Sequence, residues 1–320
     1  MKRETQQIFD LILKRLLKSS APAVIQFING LFGTEHPLDS TVEYPNTEHV
    51  SRKLRRLMSD IIIIVNGVHV YHIEAEIGDD ENIVIRMFEY GFAEGLRTKK
   101  LSGGGQKITV KFPNARIIYW ETTKRTPDEV VLSLEFPDGG SYDHVVRTFK
   151  FLDYGIKELE EKQLAILLPF YVLKLRKRVA SARSSRRRME LCAEMKAIMD
   201  DLIAATKRAM KSGLLSESDG RIVLEYTEKL YKELYQRYDE FKEADVMLQD
   251  IILTYSEEAE LRGIEKGIEK GIEKGIEKGM EKGREEGMEK GRKEERTEII
   301  KKLKKRGMSE QEIKEILLDI

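Results

Sequence analysis

The stretch Asp60-Ile-Ile-Ile-Ile-Val-Asn-Gly-Val-His-Val-Tyr-His-Ile-Glu-Ala-Glu-Ile77 constrains this chain more than any other. Two runs rich in β-branched residues meet at Asn66-Gly67, the strongest short-range signal for a β-hairpin, because both residues tolerate positive φ. Ile61 to Val65 is apolar at every position, so the strand it forms is covered on both faces and lies inside a sheet. A sheet covered on both sides needs helices, and the flanking sequence supplies them.

Phe9 to Leu17 reads as an amphipathic helix, and Ala23 to Leu31 as a second helix or its continuation past Pro22. Ile83 to Leu96 has helical spacing, with Ile85, Phe88 and Phe92 able to share a face. Ala115 to Trp120 and Glu129 to Phe136 read as further strands, closed by the turn Pro137-Asp138-Gly139-Gly140. Residues 1–150 are therefore expected to form a three-layer α/β core. Residues 151–260 are almost free of strand signals and read as a helical extension. In residues 261–296 glycine recurs every fourth position, mostly as Gly-Ile-Glu-Lys or Gly-Met-Glu-Lys. Residues 297–320 read as a small helical hairpin broken at Gly307, with Ser309 and Glu312 forming a capping box.

The carboxylates of the hairpin are the chemical signal. Asp60 opens the first run. Glu74 and Glu76 lie two apart on the second, so their side chains share one face. Carboxylates at the ends of apolar strands are costly to bury without compensation, and a divalent cation held by oxygen ligands is one natural compensation. Such an ion can activate a water and stabilise the leaving oxygen of a phosphodiester. On spacing alone, ordinary solvated carboxylates at strand ends account for the pattern at least as well. Register separates the cases. A two-residue turn pairs Val65 with Val68 and sends Asp60 and Glu74 to opposite faces. A three-residue loop or a one-residue bulge pairs position 60 with position 74. A metal site requires the second arrangement.

Lys+Arg and Asp+Glu both number 56, so any phosphate-binding surface has to be local. The densest positive stretch runs from Lys174 to Arg188 without an acid, and Lys174, Arg176, Lys177, Arg178, Arg186, Arg187 and Arg188 are its candidate DNA contacts. The other reading is a solvated helix face paired with the acids at Glu158 to Glu161. Arg86 and Tyr90, four apart on one helix face, either meet a phosphate, brace Glu74, or pack on each other at the surface. His72 shares strand parity with Glu74, while strand histidines such as His69 and His72 are more often structural. The single cysteine, Cys192, excludes an intrachain disulfide and reads as a buried thiol. Gly103-Gly-Gly105 lacks the Lys-Ser/Thr of a phosphate-binding loop and reads as a connection. The first apolar stretch, Ala21 to Phe32, is too short to span a bilayer, so a cytoplasmic protein without membrane contact is expected.

The pattern Asp60-(hairpin)-Glu74-Ala75-Glu76 resembles the Asp-Xn-(Asp/Glu)-X-Lys motif of PD-(D/E)XK nucleases. The wider context is similar to the Rpn family of recombination-promoting nucleases, also described as transposases. That context comprises Asp10 and Lys14 in the first helix, Phe27-Ile-Asn29, Arg86-Met-Phe-Glu-Tyr90, Leu167-Leu-Pro-Phe170 and the Gly-X-Glu-Lys tail. The resemblance implies a restriction-endonuclease-like core with a mixed sheet and Mg²⁺-dependent (or Mn²⁺-dependent) DNA cleavage linked to recombination or mobile elements. It assigns Asp60 and Glu74 as metal ligands and Asp10 as an accessory acid. Glu76 departs from the motif, which has Lys there. An ionised glutamate cannot donate to an oxyanion, but it can bind metal or act as a base. A weakened or inactive nuclease that binds DNA or oligomerises is the alternative.

The tail opposes an isolated helix, since each glycine costs about 1 kcal/mol relative to alanine. A four-residue period drifts about 40° per repeat against 3.6 residues per turn, so the Ile/Met stripe winds around the axis. The repeat is expected to order by self-association into a homo-oligomer, with a frayed, solvated spacer as the competing reading.

Overall fold

A computed structural model describes residues 2–45, 61–78, 80, 82–97, 99–102 and 107–309. Two helices open the chain, α1 (Lys2–Leu16) and α2 (Ala21–Phe32). They are separate because Ser20 caps α2, accepting from the Ala23 amide, and Pro22 occupies the first turn, where its missing N–H costs nothing. A short strand β1 (Val42–Glu43) follows, then β2 (Ile61–Val65) and β3 (His69–Glu76). Helix α3 (Ile83–Arg97) leads through a small ribbon, β4 (Lys100–Ser102) and β5 (Lys107–Thr109), to β6 (Asn114–Tyr119), β7 (Glu129–Glu135) and β8 (Ser141–Lys150).

The main sheet is mixed, in the order β1-β2-β3-β6-β8-β7. β3, β6 and β8 are parallel to one another, while β1, β2 and β7 run antiparallel to their neighbours. The hairpin between β2 and β3 uses a three-residue turn. Val65 pairs with His69 and Ile61 with Ile73, the register that a metal site on these strands requires. Asn66 and Gly67 both adopt the left-handed conformation (φ 52° and 67°). Asn66 tolerates it because its side chain is tied down, accepting from the Thr41 amide and donating to Ser40 Oγ.

Alternation along the strands sorts two cores. Ile61, Ile63, Val65, Tyr71, Ile73, Ala75, Ile118 and Trp120 face α1, α2 and the helical segments after residue 150. Ile117, Tyr119 and Val146 face α3, where Ile83, Val84 and Met87 cover them. The α/β order and three layers expected from the sequence are present. The buried side of α3 is Ile83, Val84, Met87 and Gly91, whereas Ile85 and Phe92 are exposed. Strands absent from the sequence reading are β1, β8 and the β4–β5 ribbon.

After residue 150 the chain forms α4 (Ile156–Glu161), an apolar 3₁₀ run (Ala165–Leu175), α5 (Arg176–Ser181), α6 (Ser185–Lys211) and α7 (Glu217–Tyr235). These segments are helical, as expected, and join the sheet in one core. Trp120 stacks on Phe170 at 3.8 Å, and the Tyr235 hydroxyl donates to the Val172 carbonyl at 2.6 Å. Buried Asp219 caps α7 through Ser216 and accepts from the amide and hydroxyl of Ser20, tying α7 to the start of α2. Cys192 is buried and free.

Helix α8 (Lys242–Lys305) contains the whole glycine repeat. The chain divides into two compact units, residues 1–256 and 257–320. In the second, Ile268, Ile272, Ile276 and Met280 are all more than half exposed, and a Cβ added at any glycine from Gly271 to Gly291 would meet open space. Gly307 turns at φ 82°, and the helix expected after Ser309 lies outside the described residues.

Candidate functional site

Glu74 and Glu76 project from β3 on the face covered by α3, where Glu74 stands level with Ile117 and Glu76 with Tyr119 of the parallel strand β6. Arg86, one turn into α3, points back at them. Its Nη2 donates to Glu74 Oε1 at 2.9 Å and to Glu76 Oε1 at 2.8 Å, while Nη1 donates to Asp80. Asp80 also accepts from the Asn82 amide just before α3, which fixes the end of the loop that Arg86 holds. Of the readings open to Arg86, the structure places it as the brace of Glu74.

The fourth acid comes from the other layer. Gln6 of α1 donates to the Ala75 carbonyl at 2.6 Å and accepts from the Ile77 amide at 3.0 Å, so it binds the main chain where β3 ends. It also donates to Asp10, one helical turn later, at 2.7 Å. Asp10 is thereby brought to the carboxyl end of β3. Gln6 carried no signal in the sequence, because its role is to bond a strand end far away in the chain.

Positive charge is short in this cluster. Burial first, and then repulsion from Glu74, push the carboxyls of both Asp10 and Glu76 up to about 7. For Glu76 the Arg86 guanidinium opposes that rise without cancelling it. Burial would also raise Asp80, but its bond from Arg86 holds it below the ordinary range. Glu74 is 1% exposed, so its carboxyl is almost wholly removed from water. Asp10 and Glu76 are thus held partly protonated near neutrality beside the buried Glu74.

Asp60, the remaining candidate ligand, lies outside the described residues. Among the described residues no group of three or more His, Cys, Asp or Glu side chains is arranged to hold a metal ion. Tyr90 sits over His72 with ring centroids 6.2 Å apart, nearly perpendicular. His72 is fully buried, and burial lowers its imidazole to about 4, so it is neutral at physiological pH. His69 lies at the opposite end of β3 beside the ring of His36.

The basic stretch is not brought to the acids as free charge. Arg176 makes a two-point pair with buried Glu121 (2.6 and 2.9 Å), and Lys177 reaches the same carboxylate at 3.1 Å. Arg178 binds Glu194 at 2.5 Å, Arg186 and Arg187 share Glu190, and Arg188 binds Glu240 at 2.9 Å. Lys174 donates to the Tyr171 hydroxyl and lies over its ring. The acids that answer these bases are not Glu158 to Glu161; Glu160 pairs with Arg208 and Glu161 with Lys157. Among the described residues no helix is long and apolar enough to cross a membrane. No protein-family model matches the chain, nor does any curated protein or solved structure.

Proposed function

We propose that this chain is a Mg²⁺-dependent DNA endonuclease hydrolysing phosphodiester bonds, in the recombination or mobile-element setting that its resemblance to Rpn proteins implies. The observation that carries the reading is the convergence of Asp10, Glu74 and Glu76 at one strand end, with too little positive charge to keep them all ionised. What supports the ion is the chemistry of the donors: they are carboxylate oxygens, the kind a hard divalent cation takes, and an added positive charge would relieve the crowding that raises Asp10 and Glu76. Glu74 and Asp60 would hold the ion, with Asp10 or Glu76 completing its ligands. When bound, Mg²⁺ supplies charge that favours ionised water and the leaving oxygen.

Hydrolysis adds a water oxygen to phosphorus and breaks one P–O ester bond, so a proton leaves the water and another reaches the leaving oxygen. A carboxyl titrating near 7, as Glu76 does, is suited to take the first of these at neutral pH. Arg86 orients the pair, since one of its nitrogens spans both glutamates. That same contact favours a second reading, an inactive DNA-binding protein in which Arg86 locks the acids as a structural salt bridge.

Plasmid nicking with Mg²⁺ or Mn²⁺ separates the two. The parent should cleave, and Asp60→Ala and Glu74→Gln should not. Cleavage that survives both substitutions at the parent rate excludes this site, and DNA binding without cleavage in the parent establishes the second reading.

A further inference from the structure

The ribbon of β4 and β5 stands apart from the main sheet, in the register Lys100↔Thr109, Leu101↔Ile108 and Ser102↔Lys107. Side chains alternate across a strand, so Lys100, Lys107 and Thr109 share one face, opposite Leu101 and Ile108. Lys99 and Lys111 flank the base. All four lysines are exposed, and among the described residues none of them forms an ion pair. The contrast with residues 176–188 is direct, because most of their bases are answered by carboxylates.

The base of the ribbon is seated on α3. A Cβ on Gly95 would stand 2.5 Å from Val110 Cγ1 and 2.7 Å from the Lys111 carbonyl oxygen, so helix and ribbon touch backbone to backbone. Phe112 fills the next gap, over Gly91 and beside Phe88 at 5.2 Å. Gly95 and Arg86 lie on one helix, separated by about 13 Å of axis at 1.5 Å per residue. That is a few base-pair steps of B-form duplex at ~3.4 Å each.

We propose that this ribbon is a duplex-DNA contact arm, with the lysine face carrying backbone phosphates into reach of the acid cluster. A two-stranded ribbon fits the major groove of B-form DNA, whereas the deep, narrow major groove of A-form RNA does not admit it. The inference rests on reading the acids as a phosphodiesterase site and names the element that holds its substrate.

The test uses the full chain in EDTA with a labelled DNA duplex and an RNA duplex of the same sequence, followed by fluorescence anisotropy between 50 and 200 mM KCl. Lys100→Gln/Lys107→Gln/Lys111→Gln should lower the slope of log affinity against log salt by about 2 to 3, at ~0.9 per phosphate contact. It should also weaken DNA binding at least tenfold at low salt. Arg186→Gln/Arg187→Gln should leave both unchanged. A parent without DNA affinity, a triple variant with the parent slope, or equal affinity for the RNA duplex overturns the proposal. Nicking with Mg²⁺ keeps the two claims apart. A parent that binds through the ribbon but never cleaves removes the nuclease reading and leaves the arm, while undiminished cleavage by the triple variant removes the arm and leaves the nuclease.

Discussion

Glu76→Gln should make the protein more stable at alkaline pH and leave it nearly unchanged under mild acid. The substituted amide keeps the shape of the protonated acid and still accepts from Arg86, so it mimics the form that the site prefers. In the unfolded chain Glu76 ionises at 4.5, and in the fold at about 7. The folded state holds this proton more tightly. Below pH 4.5 both states are protonated and the carboxyl carries no penalty. As pH rises through the folded value the fold is left with a desolvated charge, and stability falls. A shift of that size corresponds to about 3 kcal/mol at 1.36 kcal/mol per pH unit. Glu76 is only 16% exposed, so solvent screening removes little of it. Replacing it should therefore stabilise the parent by about 3 kcal/mol at pH 8, and by less than about 1 kcal/mol at pH 5. For a unit of this size that is roughly 6 to 12 °C in Tm. The assay is urea unfolding at both pH values, followed by the single tryptophan, Trp120, which is buried against Phe170. A variant no more stable than the parent at pH 8, or stabilised equally at pH 5, refutes the assignment of a crowded, proton-holding carboxyl.

Arg86→Met should be destabilising by about 3 to 5 kcal/mol at pH 8, because buried Glu74 loses its cation, and by less at pH 5, where the neighbouring Asp10 and Glu76 are protonated; paired urea melts give both numbers. Gly95→Ala forces the helix and the ribbon apart at 2.5 Å from Val110. It should cost about 1 to 3 kcal/mol and weaken duplex affinity in the anisotropy titration. Truncation before Gly263 should abolish concentration-dependent assembly in sedimentation velocity, since eight helix glycines at about 1 kcal/mol each need a partner helix to offset them. Assembly that persists after truncation places the interface elsewhere.

What could be read from the sequence was set by how local each determinant is. The β2–β3 hairpin announced itself through Asn66-Gly67 and an unbroken apolar run, and the parity of Glu74 and Glu76 followed from their spacing. The turn length did not follow, because it depends on two consecutive left-handed residues and on the grip of Thr41 and Ser40 on Asn66. β8 was illegible because half of its side chains are exposed and its apolar residues are interleaved with Asp143, His144 and Arg147, which blurs the alternation. The β4–β5 ribbon is too short to give a period. The bridge from Gln6 to the end of β3 spans 71 positions and has no sequence signature.

Charge density along the chain and net charge in space are different quantities. The run from Lys174 to Arg188 looks like the protein's cationic surface, yet Glu121, Glu190, Glu194 and Glu240 meet six of its eight bases. A carboxylate at contact distance cancels most of the field that would draw a phosphate from a Debye length away. Among the described residues, two places joined to α3 carry an excess of one sign. At the end of β3 the acids outnumber their cation, and on the β4–β5 ribbon the lysines stand without acids. Uncompensated negative charge inside a fold attracts a cation, and uncompensated positive charge on a projecting ribbon attracts a polyanion. Both residues of charge are attached to the same helix, α3, through Arg86 at its start and Gly95 near its end. A rigid helix carrying one group at each end fixes their separation, which is what the proposed hold on a duplex beside the acid cluster requires.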